Sequence, residues 1–479
     1  MSASAQDADA DADAPARQAG HARLGRAIIV GGSVAGTLAA AAVSPYVDEV
    51  LVLDRDQLPQ EAVFRKGVPQ GAHFHALLAA GRQAMDELLP GFSEHAFAMG
   101  AARLDSTLDV MRLDRVGWSP RFSSTLEFLM ASRPLIEKAL RDRARTLPNV
   151  VYRDGTEVDG LVISGGRVTG VRTVDGAELS ADLVVDASGR RSRAPEWLAA
   201  GGYPKPVESV VNAHWGYSST FLRVPENWTP GFRALAITPF GQDALTPAAA
   251  TRAMAMWEVE GERRWILTVQ GSAGDHPPRD EAALREFVSS IGVPELDRAL
   301  DEVEFPEPIS LWRDTRSRLR DYQAEASRPE GFVAFGDAWM AFNPVYGQGM
   351  TAAAIEATHL RDVTEAQAAG SPGSVDGLAE RFYNETAPLI EYCWTSSNTL
   401  DYRIPGVEVT VAGAAQPVET TSSEFSDRLA AYMTLDPDRY IRYRETTQLL
   451  RSPDWLQSEE IVSAIKENWD DLGATVVPR

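Results

Sequence analysis

Short apolar runs alternate with amphipathic stretches up to about residue 360, the pattern of a parallel sheet interleaved with helices. The run at 27–30 reads as a strand, 37–43 as a helix and 50–53 as the next strand, with a glycine-rich turn between the first two. Runs at 182–187 and 332–335 repeat the signature of short strands buried on both faces, and 350–360 returns to a helical period. Residues 150–174 hold three short strands punctuated by Asp154-Gly155, Gly165-Gly166 and Asp175-Gly176, each a hairpin-turn signal. Pro134 opens a helix whose apolar face is Leu135, Ile136, Ala139, Leu140 and Ala144, and an earlier amphipathic helix ends near Leu89. From 203 to 308 the period changes to two. Segments 252–259 and 264–270, joined around Gly261, predict an antiparallel sheet with one wet face. Beyond 374 the pattern is largely helical, and 378–400 is the longest candidate.

A chain of 479 residues exceeds what one core supports, so two or three domains are expected. A net charge of −22 argues against nucleic acid and anionic membrane as partners. One cysteine, Cys393, permits no internal disulfide and no cysteine-based metal cluster. The Asp/Ala alternation at 7–13 marks residues 1–22 as an acidic disordered tail. Arg23 and Arg26 before the apolar run imitate a signal peptide, but Gly31, Gly32, Ser33 and Gly36 interrupt it, and no other segment is long enough to span a bilayer. The expectation is a soluble cytoplasmic protein without an integral membrane segment, monomeric or dimeric.

The turn Gly31-Gly32-Ser33-Val34-Ala35-Gly36 follows a strand and opens a helix, as a dinucleotide fingerprint does, with Ser33 at the middle glycine. Asp54 ends the next strand eighteen residues after Gly36, placed to accept hydrogen bonds from a ribose, and Arg55 adjoins it. The same turn is one residue from the nucleophile elbow of hydrolases, but that elbow needs strands before it and Ala35 replaces its second glycine. A second constellation lies at 332–350. Gly336 turns the chain after a buried strand and leaves Asp337 at its carboxyl end, and Pro344, Gly347 and Gly349 precede the helix that opens at Met350. Orphan amides gather at such a helix start, so the expected ligand is anionic and hydroxylated. His73 and His75 could point the same way on an extended segment, yet without a further ligand they predict no metal site.

The 332–350 stretch resembles the second flavin motif of FAD-dependent monooxygenases of the aromatic-hydroxylase and squalene-epoxidase type. By that resemblance Asp337, beside Gly336, holds the ribityl chain, Pro344, Tyr346, Gly347 and Gly349 lie along the isoalloxazine ring, and Met350 is a further cofactor-binding residue; Met340 stands where many relatives carry His. The 65–78 stretch looks like the Arg-x-Gly-Val segment of the flavin hydroxylases, and its longer form with two His resembles bacterial polyether epoxidases, which puts Arg65 near the flavin or its phosphates. Arg133, in an Arg-x-x-Leu setting with Ile136 for the Leu, would contact the pyrophosphate. Asp186 and Gly189 match the intermediate Asp-x-x-Gly motif, but Asp-Ala replaces the usual Asp-Gly, so reduction by NAD(P)H directly or through a separate flavin reductase stays open.

The implied fold class is α/β: a Rossmann-like FAD-binding domain of glutathione-reductase type, an inserted antiparallel β-sheet substrate domain and a helical C-terminal region. The FAD domain is expected at 23–99, 129–202 and 309–373, the substrate domain at 100–128 and 203–308, and the helical region, packing over the pocket or a subunit contact, at 374–479. The pocket candidates on the sheet side are His73, His75, His214, Trp215, Tyr217 and Trp257. The implied reaction transfers one oxygen atom from O2 through a flavin C4a-hydroperoxide, with the protein supplying position and a dry cavity. The acceptor expected is a large lipophilic natural product, by alkene epoxidation. Aromatic hydroxylation comes next, then halogenation, prenyl reduction, or flavin binding without turnover. For halogenation the chain lacks a Trp-x-Trp-x-Ile-Pro sequence and offers Lys66 as its only early lysine.

Overall fold

The computed structural model describes residues 23–239, 246–323, 328–417 and 424–474, so the acidic stretch 1–22 lies outside the described residues. Five parallel strands make the central sheet, in the order Phe332–Ala334, Leu183–Asp186, Leu24–Val30, Val47–Leu53, Val150–Arg153. Their central residues are apolar because the sheet is buried between helices such as Val34–Val43 and a small antiparallel meander, the condition under which parallel strands persist. Helix Val34–Val43 and the long helix Gly349–Gly370 pack on each other in that core.

Three expectations about this region change. The strand Val150–Arg153 pairs with Val47–Leu53 at the edge of the parallel sheet, so Asp154-Gly155 leads out of that sheet rather than closing a hairpin. The meander is instead Val158–Ser164, Arg167–Thr173 and Glu178–Ser180, turned by Gly165 and Gly166 at φ 59° and 80° and by Gly176. The helix after the second glycine loop starts at Gly349 and runs on to Gly370.

A seven-stranded sheet carries Gly216–Arg223, Arg252–Glu258 and Arg264–Gly271 at its centre, and Val110–Asp114 joins it through Ala234–Ile237. Met254, Met256, Trp265, Leu267 and Val269 point one way, under the helices Glu281–Ser289 and Pro294–Asp301. Alternate residues point the other way, and that second face is also buried: it fronts an internal cavity instead of bulk water, which corrects the expected wet face. Strand Ser310–Trp312 still belongs to this sheet, beyond the expected boundary at 308. The region after 374 is largely helical as expected, and its hairpin Glu408–Val411 and Ala414–Gln416 extends a second antiparallel sheet built on Glu208–Asn212. Among the described residues no helix is long and apolar enough to cross a membrane.

Candidate functional site

A single cavity of about 1080 Å³ runs from the first glycine turn to the inner face of the seven-stranded sheet. That is slightly above the usual range for one small-molecule pocket, which ends near about 1,000 Å³. Gly31 and Asp337, about 300 residues apart in the sequence, both line it.

At one end glycines let backbone segments close on each other around the cavity. Gly31 holds φ +105°, and a Cβ there would fall 2.6 Å from the carbonyl oxygen of Ala187. Gly36 does not line the cavity; a Cβ on it would meet the carbonyl of Gly31, so its task is to let helix and strand close on each other. Asp54 is buried, accepts the Gly32 amide at 2.8 Å and sits 3.4 Å from Arg65. Ser33 donates to Glu137 Oε1 at 2.6 Å and receives Arg133 Nη2 at 2.9 Å. Glu137 therefore joins Ser33, Arg133 and Arg65, the last at 3.2 Å. Burial pushes the Glu137 carboxyl up, but the guanidiniums of Arg133 and Arg65 outweigh it and hold the group below the ordinary range. Arg65 keeps one buried nitrogen, Nη2, with no partner among the described residues. Arg55 and Gly189 line the same cavity.

Asp186 and Gly336 sit behind the cavity wall. Asp186 is fully buried and binds the hydroxyls of Ser188 and Ser192, both at 2.5 Å, which fixes the turn that carries Gly189. Arg190 reaches from that turn to the Phe342 carbonyl at 3.0 Å and ties the intermediate motif to the second glycine loop. Gly336, at φ +59°, gives its amide to Glu356 at 2.8 Å, and burial raises that carboxyl to about 7. Asp337 lines the cavity and accepts no hydrogen bond from any described residue; burial raises its carboxyl while Arg190 and Arg133 oppose the rise. Beyond it, Asn343 caps a short turn, Pro344–Tyr346, Gly347 takes φ +65°, and the amides of the helix beginning at Gly349 and Met350 open at the cavity.

The other end is aromatic. Trp215, Tyr217, Trp257 and Trp312 line it, and Phe74 stacks on Trp257 with centroids 4.9 Å apart. His73 is 4 % exposed, and its Nδ1 lies 2.7 Å from Ser219 Oγ, itself 2.7 Å from Thr268 Oγ1. Its Nε2 is buried without a partner among the described residues. His75 Nδ1 donates to the His73 carbonyl at 2.8 Å. Burial lowers His73 to about 4, and burial with the charge of Arg133 lowers His75 to about 3, so both rings are neutral at pH 7. His214 is a correction. It does not line the cavity; the left-handed turn at φ 51° directs it to Glu408 at 3.5 Å, half exposed.

Sequence reasoning missed Asp401, at the end of the long helix Leu378–Asp401. It is fully buried and accepts Trp215 Nε1 at 2.9 Å, Asn343 Nδ2 at 2.9 Å and Tyr346 Oη at 2.7 Å. Asn343 in turn receives the Tyr217 hydroxyl at 3.2 Å. One carboxylate thus joins the second glycine loop to the aromatic wall. Nothing local marks it, since its partners lie 55 to 186 residues away. Glu137 carried a readable signal, four residues after Arg133 on one helix face.

This architecture is the FAD-binding Rossmann-like fold of the flavin-dependent monooxygenases. 2-Methyl-3-hydroxypyridine-5-carboxylic acid oxygenase is similar with a TM-score of 0.57 at 18% identity, over 79% of this chain and 92% of that one. The flavin-dependent brominase Bmp2 is similar with a TM-score of 0.57 at 15% identity, over 79% and 89%. Residues 125–205 match the tryptophan halogenase family model. Protein Rv3254 of Mycobacterium tuberculosis (strain ATCC 25618 / H37Rv) is 33% identical over 384 residues, which cover 77% of this chain and 78% of that protein. The chain belongs to the family of Rv3254.

Proposed function

We propose that the chain is an FAD-dependent monooxygenase that inserts one oxygen atom from O2 into a large lipophilic natural product, foremost by alkene epoxidation. The observation that carries the reading is the continuity of one cavity, from a glycine turn, past a carboxylate with open acceptor positions, to a buried aromatic chamber. The donor set fits FAD. Asp337 has acceptors to spare for ribityl hydroxyls, Asp54 stands at the ribose distance from the turn, and Arg65 and Arg133 with the amides near Gly31 and Gly349 suit a pyrophosphate. In this reading Pro344, Tyr346 and Gly347 lie along the ring. Segments 23–99, 129–202 and most of 309–373 hold the cofactor, while 100–128 and 203–308, with strand Ser310–Trp312, hold the substrate.

Bound FAD would supply the oxygen-activating chemistry, with electrons from NAD(P)H directly or through a flavin reductase. The chain's own residues exclude water and orient the acceptor. Phe74 and Trp257 stack in the chamber wall, and neutral His73 offers its unpartnered Nε2 to a polar atom of the substrate. Asp401 fixes Tyr346 through its hydroxyl and the second glycine loop through Asn343.

Halogenation is the second reading, favoured by the match at 125–205 and by the brominase fold. Against it, no lysine lines the cavity among the described residues, and Lys66 is exposed. Incubation of candidate alkenes and phenols with FAD, NAD(P)H, a reductase, isotopically labelled dioxygen and halide separates the two. Gain of one labelled oxygen atom supports the monooxygenase and its position in the product distinguishes epoxidation from aromatic hydroxylation. Gain of halogen, saturation of a double bond, or no product from any acceptor refutes it.

A further inference from the structure

Away from the glycine loops, the cavity ends between the strands Val110–Asp114 and Ala234–Ile237 and the C-terminal helices Glu424–Thr434 and Pro437–Thr447. Its walls there are apolar, with Ile237, Leu429, Ala430 and Leu456, yet charged groups gather at the edge. Most of them are engaged. Arg115 and Arg403 hold Asp427 at 3.0 and 3.2 Å, Asp114 accepts the Val116 amide at 2.9 Å, and Arg112 donates to the Ser106 carbonyl at 2.8 Å.

Arg444 differs. It lines the cavity, its guanidinium makes no hydrogen bond or ion pair with any described residue, and its Nε is sealed from solvent. A guanidinium is always charged and presents a planar fork of donors, and of its three nitrogens here only Nε is shut off from solvent, so the terminal pair is open to a ligand in the cavity. Burial, and next the charge of Arg444, push the guanidinium of Arg112 down to about 9; Tyr440 and the carboxylate of Asp114 oppose this, yet Asp114, which feels both guanidiniums, forms an ion pair with neither. The complement of that fork is a carboxylate, which can meet two N–H groups at once. We propose that Arg444 receives the carboxylate of an otherwise apolar substrate, so that the chain acts on an amphipathic carboxylic acid anchored at the C-terminal helices, its body lying along the Trp257 face of the sheet. This rests on the monooxygenase reading and narrows its substrate class.

The test uses the full chain loaded with oxidised FAD and no reductant, so nothing turns over. Dodecanoate and abietate, each beside its primary amide, are titrated by calorimetry into the parent protein and into Arg444→Gln and Arg444→Lys, with the flavin content of each protein read from its visible spectrum. The acids should bind the parent about tenfold more tightly than the amides, the scale of a hydrogen bond to a charged group. Arg444→Gln should abolish that preference by weakening the acids alone, Arg444→Lys should keep part of it, and flavin content should not change. Equal affinity of acid and amide, no binding of either acid, or loss of FAD from Arg444→Gln overturns the proposal. If the parent takes up FAD and shows no preference, only this inference fails; if it takes up no FAD, the monooxygenase reading fails first.

Discussion

Replacing Asp401 by asparagine removes a charge while keeping shape, and the surrounding hydrogen bonds fix its consequence. The donors of Trp215 and Tyr346 meet Oδ1 at 2.9 and 2.7 Å, and the Asn343 amide meets Oδ2 at 2.9 Å. In Asp401→Asn the new amide oxygen can keep Trp215 and Tyr346, but the new NH2 then faces the NH2 of Asn343. Turning Asn343 over would take its oxygen from the Val345 amide, which it accepts at 3.2 Å. At least one hydrogen bond is lost on either path, and those that remain lose their charged acceptor, worth about 2 kcal/mol in all. Burial already raises the Asp401 carboxyl against the hydrogen bonds from Asn343, Tyr346 and Trp215, so removing the charge returns part of that cost and keeps the loss at this low end. Asp401→Ala strands the buried Trp215 and Asn343 donors instead and should cost about 4 kcal/mol, at about 1–3 kcal/mol per orphaned group. Denaturant titration of the FAD-loaded protein, followed by tryptophan fluorescence, should place the midpoints in falling order from the parent through Asp401→Asn to Asp401→Ala. The flavin absorption bands should shift in both variants because the hold on Tyr346 is weakened in one and gone in the other. Parent-like midpoints together with an unshifted spectrum would refute this role for the carboxylate.

Three further outcomes follow from the structure. Gly31→Ala puts a Cβ 2.6 Å from the Ala187 carbonyl at a φ of +105°, so the purified variant should retain little FAD, measured as flavin per chain, while its circular dichroism stays near the parent's. Glu356 has a folded value raised to about 7 from 4.5, so the unfolded chain releases this proton first and stability falls as pH rises from about 4.5 to about 7, by roughly 3 kcal/mol at most. Glu356→Gln should unfold at the parent's temperature near pH 4.5 and above it at pH 8; parallel pH curves would contradict this. His73 and His75 are lowered to about 4 and about 3, so their stabilising neutrality is complete above the unfolded value near 6.5 and lost as pH falls through the folded ones. Thermal unfolding of the double His73→Gln, His75→Gln variant should accordingly lose less between pH 6.5 and 4 than the parent's does.

The parallel sheet and the glycine turns were legible because they rest on local demands. Ala27–Val30 is apolar throughout since it is buried on both faces, and Gly31 is glycine since its φ permits little else. What stayed hidden depends on distant pairing. The strand Val150–Arg153 carries no mark telling a parallel partner from a hairpin partner, and its register with Val47–Leu53 is set by the sheet as a whole. His214 reads like its neighbours Trp215 and Tyr217, yet a left-handed backbone turn that its sequence does not announce directs it to Glu408. Asp401 and Arg444 sit in helices with ordinary patterns, and only the packing of those helices against the cavity gives them meaning.

In the function proposed above, segments remote in sequence grip one FAD end to end. Equilibrium dialysis of FAD against the purified parent, Asp54→Ala and Asp337→Ala tests that grip most directly. One FAD should bind per parent chain, with a large loss of affinity in Asp337→Ala from the ribityl side and a separate loss in Asp54→Ala from the adenosine side. A parent that takes up no FAD, or two variants that hold it as the parent does, would contradict it.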